Sequence, residues 1–197
     1  MTSPTDLPPD FPTFRYHPDP VGTGAVEASE EACIRCGEAR GYVYAGSAFS
    51  GAAEPSDDVE VAEVADDPEP LCPWCIADGS AAAEYGCEFT DAAPLADAEL
   101  SPAIIETVTK RTPGYISWQE NEWRSCCDDA CAYMGDASKD EVAALEGEEL
   151  EELLEELEWE GEEWLAFVAQ YEPGGHLSVH KFQCLHCKDA QYVYDPS

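Results

Sequence analysis

The residues that could do chemistry in this sequence are its cysteines. The stretch "CIRCGEARGYVYAG", from Cys33, and the stretch "CLHCKDAQYVYD", from Cys184, each read Cys-x-x-Cys, then an Ala, then Tyr-Val-Tyr. Two further pairs lie between them, Cys72/Cys75 in "CPWC" and Cys127/Cys131 in "CDDAC". Zinc in a structural role takes a tetrahedron of four soft ligands. A Cys-x-x-Cys turn supplies two thiolates from one side, and a second pair must close the shell.

Joining each repeat to the nearest internal pair gives two predicted sites. The first is Cys33, Cys36, Cys72 and Cys75; the second is Cys127, Cys131, Cys184 and Cys187. Cys127 and Cys131 read as i, i+4 on one helical face. On such a helix Cys126 points about 100° away from its neighbour, so it is set aside. The isolated Cys87 reads as a small buried hydrophobe. Iron–sulfur ligation also uses four cysteines, but with other spacings and a run ending in Cys-Pro. Four thiolates leave no position open for water, so the two Zn2+ ions per chain are predicted to be struts. In peptide models a structural zinc contributes about 10–16 kcal/mol to folding.

"CPWC" has a second reading. It resembles the active-site turn of glutaredoxins, where a helix N-terminus stabilises a thiolate. Thr112–Pro113 could face it, and the chain would then be a thiol–disulfide oxidoreductase. Against this, an acidic loop precedes Cys72 where such enzymes have a βαβ unit. Of the four histidines, His186 lies inside the last knuckle and could replace a cysteine. His17 in "HPDP" reads as a turn or surface residue, and His176 and His180 as strand residues. No Ser-His-Asp order, phosphate loop or paired-carboxylate motif stands out.

The elements that must position these thiols are short. "FPTFRY" (11–16) alternates like a strand, and "HPDPVGTG" is a turn. "GYVYAG" is a strand. Pro73 suits the first turn of a helix ending near Gly86. A second short helix is expected over 102–110, and a third over 126–135, stopped by Gly135. The span 138–170 reads as helical, opened by a Ser138/Glu141 capping box and broken at Gly161. Leu150, Leu153, Leu154 and Leu157 form one apolar stripe. Thirteen of the 24 residues from Asp140 to Glu163 are acidic, which marks a solvated face. "HLSVHKF" and "QYVYD" form a hairpin around the last thiol pair. The acidic segment 50–70 reads as a surface insertion.

The bulk composition sets limits. Asp plus Glu is 43 against 9 Lys plus Arg, a net charge of −34. Such a chain repels itself in dilute buffer. In molar salt the Debye length falls to about 3 Å, so the composition reads as adaptation to a salt-rich cytoplasm, as in halophilic archaea. No basic stripe exists to neutralise phosphates, which disfavours nucleic acid as a partner. No apolar stretch is long enough to span a membrane. The start, "MTSPTDLPPD", lacks a signal-peptide pattern. Ten cysteines without a secretion signal point to a reducing, cytoplasmic setting and to metal rather than disulfides.

The blocks "FPTFRYHPDPVGTGAV", "CIRCGEARGYVYAG", "LCPWCIADGSAAAEYG", "RTPGYISWQENEWRSCCDDACAYMG" and "KFQCLHC" resemble the CbrC family, named for tolerance to colicin E2. The resemblance spans 11–194. It departs at the acidic segment 50–70 and in the Glu-rich helix. The family pattern of a Cys, three residues and a Cys matches Cys127 and Cys131. The resemblance implies no biochemical activity.

The expected architecture is α+β: two small four-cysteine zinc-ribbon or knuckle elements with short antiparallel strands, bridged by helices. A loose tail (1–10) precedes one domain (11–197), with an N-terminal zinc subdomain (11–95) and a C-terminal one (111–197). The expected role is a metal-stabilised binding or adaptor protein for an unknown protein or small ligand. "RYHPDP" and "RTPGYISWQ" are its candidate recognition loops.

Overall fold

A computed structural model describes residues 7–50, 70–117, 121–175 and 177–196. It is α+β, with two four-cysteine clusters set among short antiparallel strands. Strands β1 (Val26–Ala28) and β2 (Tyr42–Tyr44) pair antiparallel, Glu27 opposite Val43. Strand β3 (Phe49–Ser50) pairs with β4 (Cys87–Glu88). Between these lie helices α1 (Pro73–Ala77) and α2 (Ser80–Tyr85). Pro73 sits in the first turn of α1, where its missing N–H costs nothing. The single helix expected up to Gly86 is two, because Gly79 takes a left-handed conformation (φ 79°).

Helices α3 (Ala93–Asp97) and α4 (Pro102–Arg111) follow. The expected helix over 126–135 is absent. Its residues form a tight hairpin, β5 (Ser125–Cys126) and β6 (Asp129–Ala130), and then strand β7 (Ala132–Asp136). Cys127 and Asp128 both have positive φ (55° and 57°). Positive φ at both central residues is the two-residue turn whose twist suits a hairpin. No strand forms at Phe11–Tyr16. That segment stays extended enough for the Tyr16 carbonyl to accept a bond from the Tyr133 N–H (2.8 Å).

The helical span breaks into α5 (Lys139–Ala143), α6 (Glu148–Glu156) and α7 (Gly161–Gln170). The Ser138/Glu141 capping box is present, with a second box at Glu160/Glu163. Gly161 opens α7 rather than ending a longer helix. Strands β8 (Leu177–Gln183) and β9 (Ala190–Pro196) form the expected hairpin and add β7 to make a three-stranded sheet in the order β7-β8-β9. A register shift between Tyr133 and Asp136 kinks β7, at Gly135 with φ 91°. The expected insertion at 50–70 lies, for residues 51–69, outside the described residues, as does His176.

Among the described residues, three apolar clusters fill the interior. One packs Phe14, Tyr44, Leu71, Ile76 and Phe89 around the first thiol group. A second is aromatic: Tyr115, Trp123, Tyr133 and Phe182 lie behind the second thiol group. Tyr115 stacks on Tyr133 at 4.6 Å, and the Trp123 indole N–H donates to the Cys131 carbonyl (2.9 Å). Aromatic burial of this kind dominates the energetics of a small core. The third joins α5, α6 and α7 to the outer sheet through Val142, Leu153, Trp164 and Phe167.

Candidate metal centres

The two Cys-x-x-Cys repeats fold alike. Each begins at a cysteine whose backbone N–H reaches the carbonyl five residues on, Cys33 to Glu38 (3.1 Å) and Cys184 to Asp189 (2.9 Å). Each has a left-handed residue just after its second cysteine, Gly37 (φ 73°) and Lys188 (φ 70°). Each then runs into its Tyr-Val-Tyr strand. In the second, the Cys184 sulfur accepts the His186 N–H (3.4 Å). Backbone donors of this sort favour the thiolate. Burial pushes the Cys33 thiol up, but the N–H groups of Cys72, Cys36 and Arg35 outweigh it and hold it at about 7. Cys184 is held at about 6 in the same way, burial being outweighed by the N–H groups of His186 and Cys187.

The first repeat receives its second pair from α1. Backbone bonds from Ile34 to Pro70 (2.9 Å) and from Tyr44 to Leu71 (2.8 Å) lay residues 70–71 between the knuckle and β2. Cys72 is then the N-cap of α1, and Cys75 lies one turn on. The Cys72 N–H reaches the Cys33 sulfur (3.3 Å), and the sulfurs of Cys36 and Cys72 are 3.9 Å apart. All four sulfurs, Cys33, Cys36, Cys72 and Cys75, lie within 4.8 Å of one another.

The second repeat is met by the tip of the β5–β6 hairpin. The gathered sulfurs are those of Cys126, Cys127, Cys184 and Cys187, again within 4.8 Å. Cys126 is 3.6 Å from Cys127 and 3.6 Å from Cys187. The expected set differs in one member: Cys126 stands where the helical reading put Cys131. A helix would have stacked Cys127 and Cys131. A hairpin instead advances about 3.3 Å per residue, so Cys131 recedes from the tip into the aromatic core. There it is fully buried, its N–H bonded to the Arg124 carbonyl (2.9 Å), and burial raises its thiol to about 12. The adjacent thiols of "CC" were the available signal for Cys126. Cys87, read as buried, is buried.

A four-coordinate thiolate site with bonds of about 2.3 Å has sulfur–sulfur edges of about 3.8 Å. Three of the edges, one in the first quartet and two in the second, are 3.6–3.9 Å, and all sulfurs of each quartet lie within 4.8 Å, which fits one ion per quartet. Clusters of several irons hold their cysteines further apart, since each sulfur binds a different iron. Burial raises Cys72, and raises Cys75 to about 11, so four neighbouring thiolates need a cation to coexist. Both quartets therefore fit a metal ion.

Polar groups brace the second centre. Asp129, just past the hairpin tip, accepts from Arg15 (2.6 Å), Tyr16 (2.7 Å) and its own neighbour Ala130 (2.9 Å), and meets His186 Nε2 (2.9 Å). Burial opposes its ionisation, but the bonds from Tyr16 and His186 and the Arg15 charge hold its carboxyl below the usual value. His186 is thus engaged with a carboxylate beside the thiols. His17, read as a surface turn residue, is fully buried. Its Nδ1 lies 2.8 Å from the Pro113 carbonyl and its Nε2 2.7 Å from the Thr23 hydroxyl. Burial lowers it to about 4, so it is neutral near pH 7: Nδ1–H donates to the carbonyl and Nε2 accepts from Thr23. The motif "RYHPDP" and the start of "RTPGYISWQ" are therefore clamped to each other, while Trp118 and Gln119 of the second motif lie outside the described residues. Tyr16, Thr112, Pro113, Gly114 and Tyr115 are all buried, which removes these five from a recognition surface, whereas Arg15, Pro18, Asp19, Arg111 and Ile116 of the same motifs are exposed.

A surface cleft does lie beside the first centre. Pro8, Asp10, Glu38, Arg40 and Trp74 line about 390 Å³. Trp74, inside "CPWC", donates its indole N–H to the Asp10 carbonyl (2.8 Å), and the Arg40 guanidinium sits 5.3 Å from its ring centre.

The family model of UPF0167, an uncharacterised protein family, matches residues 11–196. This is the family the sequence resembles under the name CbrC. A UPF0167 protein of Pseudomonas aeruginosa is 46% identical over 187 residues, covering 95% of this chain and 98% of that protein. UPF0167 proteins of Mycobacterium bovis and Mycobacterium tuberculosis are each 36% identical over 190 residues, covering 93% of this chain and 92% of theirs. These relatives do not bear on the salt-rich origin suggested by composition. No solved structure matches. Among the described residues, no helix is long and apolar enough to cross a membrane.

Proposed function

The chain belongs to UPF0167, an uncharacterised protein family, and from that premise we propose a metal-stapled binding protein with one structural zinc in each sulfur quartet. The observation that carries this reading is the pair of quartets, each with all sulfurs inside 4.8 Å. Zinc suits them because it has no geometric demand beyond the tetrahedron and accepts four thiolates. Each ion ties a knuckle to a distant segment, so its binding energy is folding energy. The N-terminal ion would organise a subdomain of residues 11–95 and the C-terminal ion one of 111–197. Ten free thiols fit a reducing compartment, which favours the cytoplasm.

The binding role rests on the cleft beside the first centre. The first ion would fix both of its walls, Glu38 and Arg40 through the knuckle and Trp74 through α1. Trp and Arg, which meet in this cleft, are among the side chains most enriched at binding hot spots. Thiol–disulfide exchange at Cys72 and Cys75 is disfavoured. Both thiols are buried and pushed up by burial, whereas a redox cysteine needs an accessible, lowered thiol.

Elemental analysis of protein purified without added metal tests the metal reading. We expect two zinc ions per chain, with Cys72 and Cys75 inert to a thiol reagent until a chelator is added. A metal-free protein that reduces disulfides would reverse the ranking. Pull-downs in molar KCl test the cleft: Arg40→Glu should lose partners that the wild-type chain retains, and an unchanged set would count against this surface.

A further inference from the structure

The two quartets differ in their access to solvent. In the first, Cys33, Cys72 and Cys75 are buried and only Cys36 is half-buried. In the second, only Cys184 is buried; Cys126 is half-buried, and Cys127 and Cys187 are exposed. The first quartet is wrapped by Phe14, Leu71 and Ile76, whereas the second sits at a hairpin tip.

We infer that the second quartet is an oxidation site, at which an uncharged peroxide joins Cys126 to Cys187 and releases the second ion while the first stays bound. This rests on the reading above that each quartet holds zinc. The sulfurs of Cys126 and Cys187 are 3.6 Å apart, and a disulfide of about 2 Å needs only a small closing movement of an exposed tip. They also come from different elements, the end of β5 and the last knuckle. A bond between the adjacent Cys126 and Cys127 would close a strained eight-membered ring. Charge selects the oxidant. A chain of net charge −34, with the exposed Asp128 at the hairpin tip, repels anionic oxidants at low ionic strength but not hydrogen peroxide, which is uncharged.

The steps balance. The Cys187 thiolate attacks one peroxide oxygen and the O–O bond breaks; the departing hydroxide takes a proton and leaves as water, and Cys187 becomes a sulfenic acid. The Cys126 thiolate then attacks that sulfur and the S–O bond breaks; hydroxide leaves and takes a second proton. Two thiolates have lost two electrons, and one peroxide has become two waters. Cys127 and Cys184 remain, and two thiolates cannot complete a tetrahedral zinc site.

The test uses the native chain after its zinc content has been measured. Hydrogen peroxide is added in the presence of a zinc-responsive dye, and disulfides are mapped by digestion without reductant. The expected result is one zinc per chain released at least tenfold faster than the other, with a Cys126–Cys187 link that dithiothreitol and zinc reverse. Release of both ions at one rate, prior loss from the first quartet, or a first disulfide other than Cys126–Cys187, such as Cys126–Cys127 or Cys184–Cys187, would overturn the proposal. A starting content below two zinc would contradict the metal reading itself. The disulfide map would then still decide whether Cys126 and Cys187 are the oxidised pair.

Discussion

Cys126 and Cys131 are five residues apart and have opposite surroundings, one at a hairpin tip among sulfurs and the other in an aromatic core. Replacing each tests the assignment. Cys126→Ser should lower bound zinc from two ions to one. Cys131→Ala should leave two ions bound and cost about 1 kcal/mol, the usual scale for removing a small buried group; elemental analysis and urea unfolding read the two effects. His17 offers a second test at this scale. Its folded value of about 4 lies below its ordinary 6.5, so the fold favours the neutral ring. Its contribution is therefore complete above pH 6.5 and is lost as pH falls from there toward 4. The full loss is on the order of 3 kcal/mol. Glu141, held down at about 2 by the Lys181 ammonium, loses its contribution only below its ordinary 4.5, in a lower window. Urea midpoints measured between about pH 7.5 and 4.5 should fall for the wild type and fall less steeply for His17→Gln.

The elements that position the site were unevenly legible. Pro73 marked the start of α1, Ser138 with Glu141 marked α5, and the alternation of "HLSVHKF" and "QYVYD" marked the last hairpin. Each signal is local, and local signals survive in a sequence. The β5–β6 hairpin had no such mark. Its turn residues are Cys127 and Asp128, where a tight hairpin turn usually shows Gly or Asn. "CCDDAC" therefore reads as helix, and the expected second quartet takes Cys131 in place of Cys126. The clamp between His17 and Pro113 spans 96 positions and is invisible to any local pattern. Gly114, next to that clamp, has no room for a side chain: a Cβ there would collide with the Phe89 carbonyl oxygen and press on the Tyr44 hydroxyl. Gly114→Ala should cost about 3 kcal/mol by overpacking, read as a lowered urea midpoint. An unchanged midpoint would mean that the two motifs are not packed this closely.

At the scale of the whole molecule, charge and metal oppose one another. A net charge of −34 on 197 residues pushes the chain apart, and under the proposed function one ion in each of the two sulfur quartets would hold its distant segments together. Raising KCl from about 0.1 M to 1 M shortens the Debye length from about 10 Å to about 3 Å, so the melting temperature should rise with salt. A flat or falling melting curve would show that self-repulsion is not the dominant destabilising force. The central claim is that each quartet of sulfurs binds one ion and nothing else does. X-ray absorption at the zinc edge of the purified protein addresses it most directly. The account predicts a single shell of four sulfurs at about 2.3 Å. Nitrogen or oxygen in that shell, or no zinc edge at all, would contradict it.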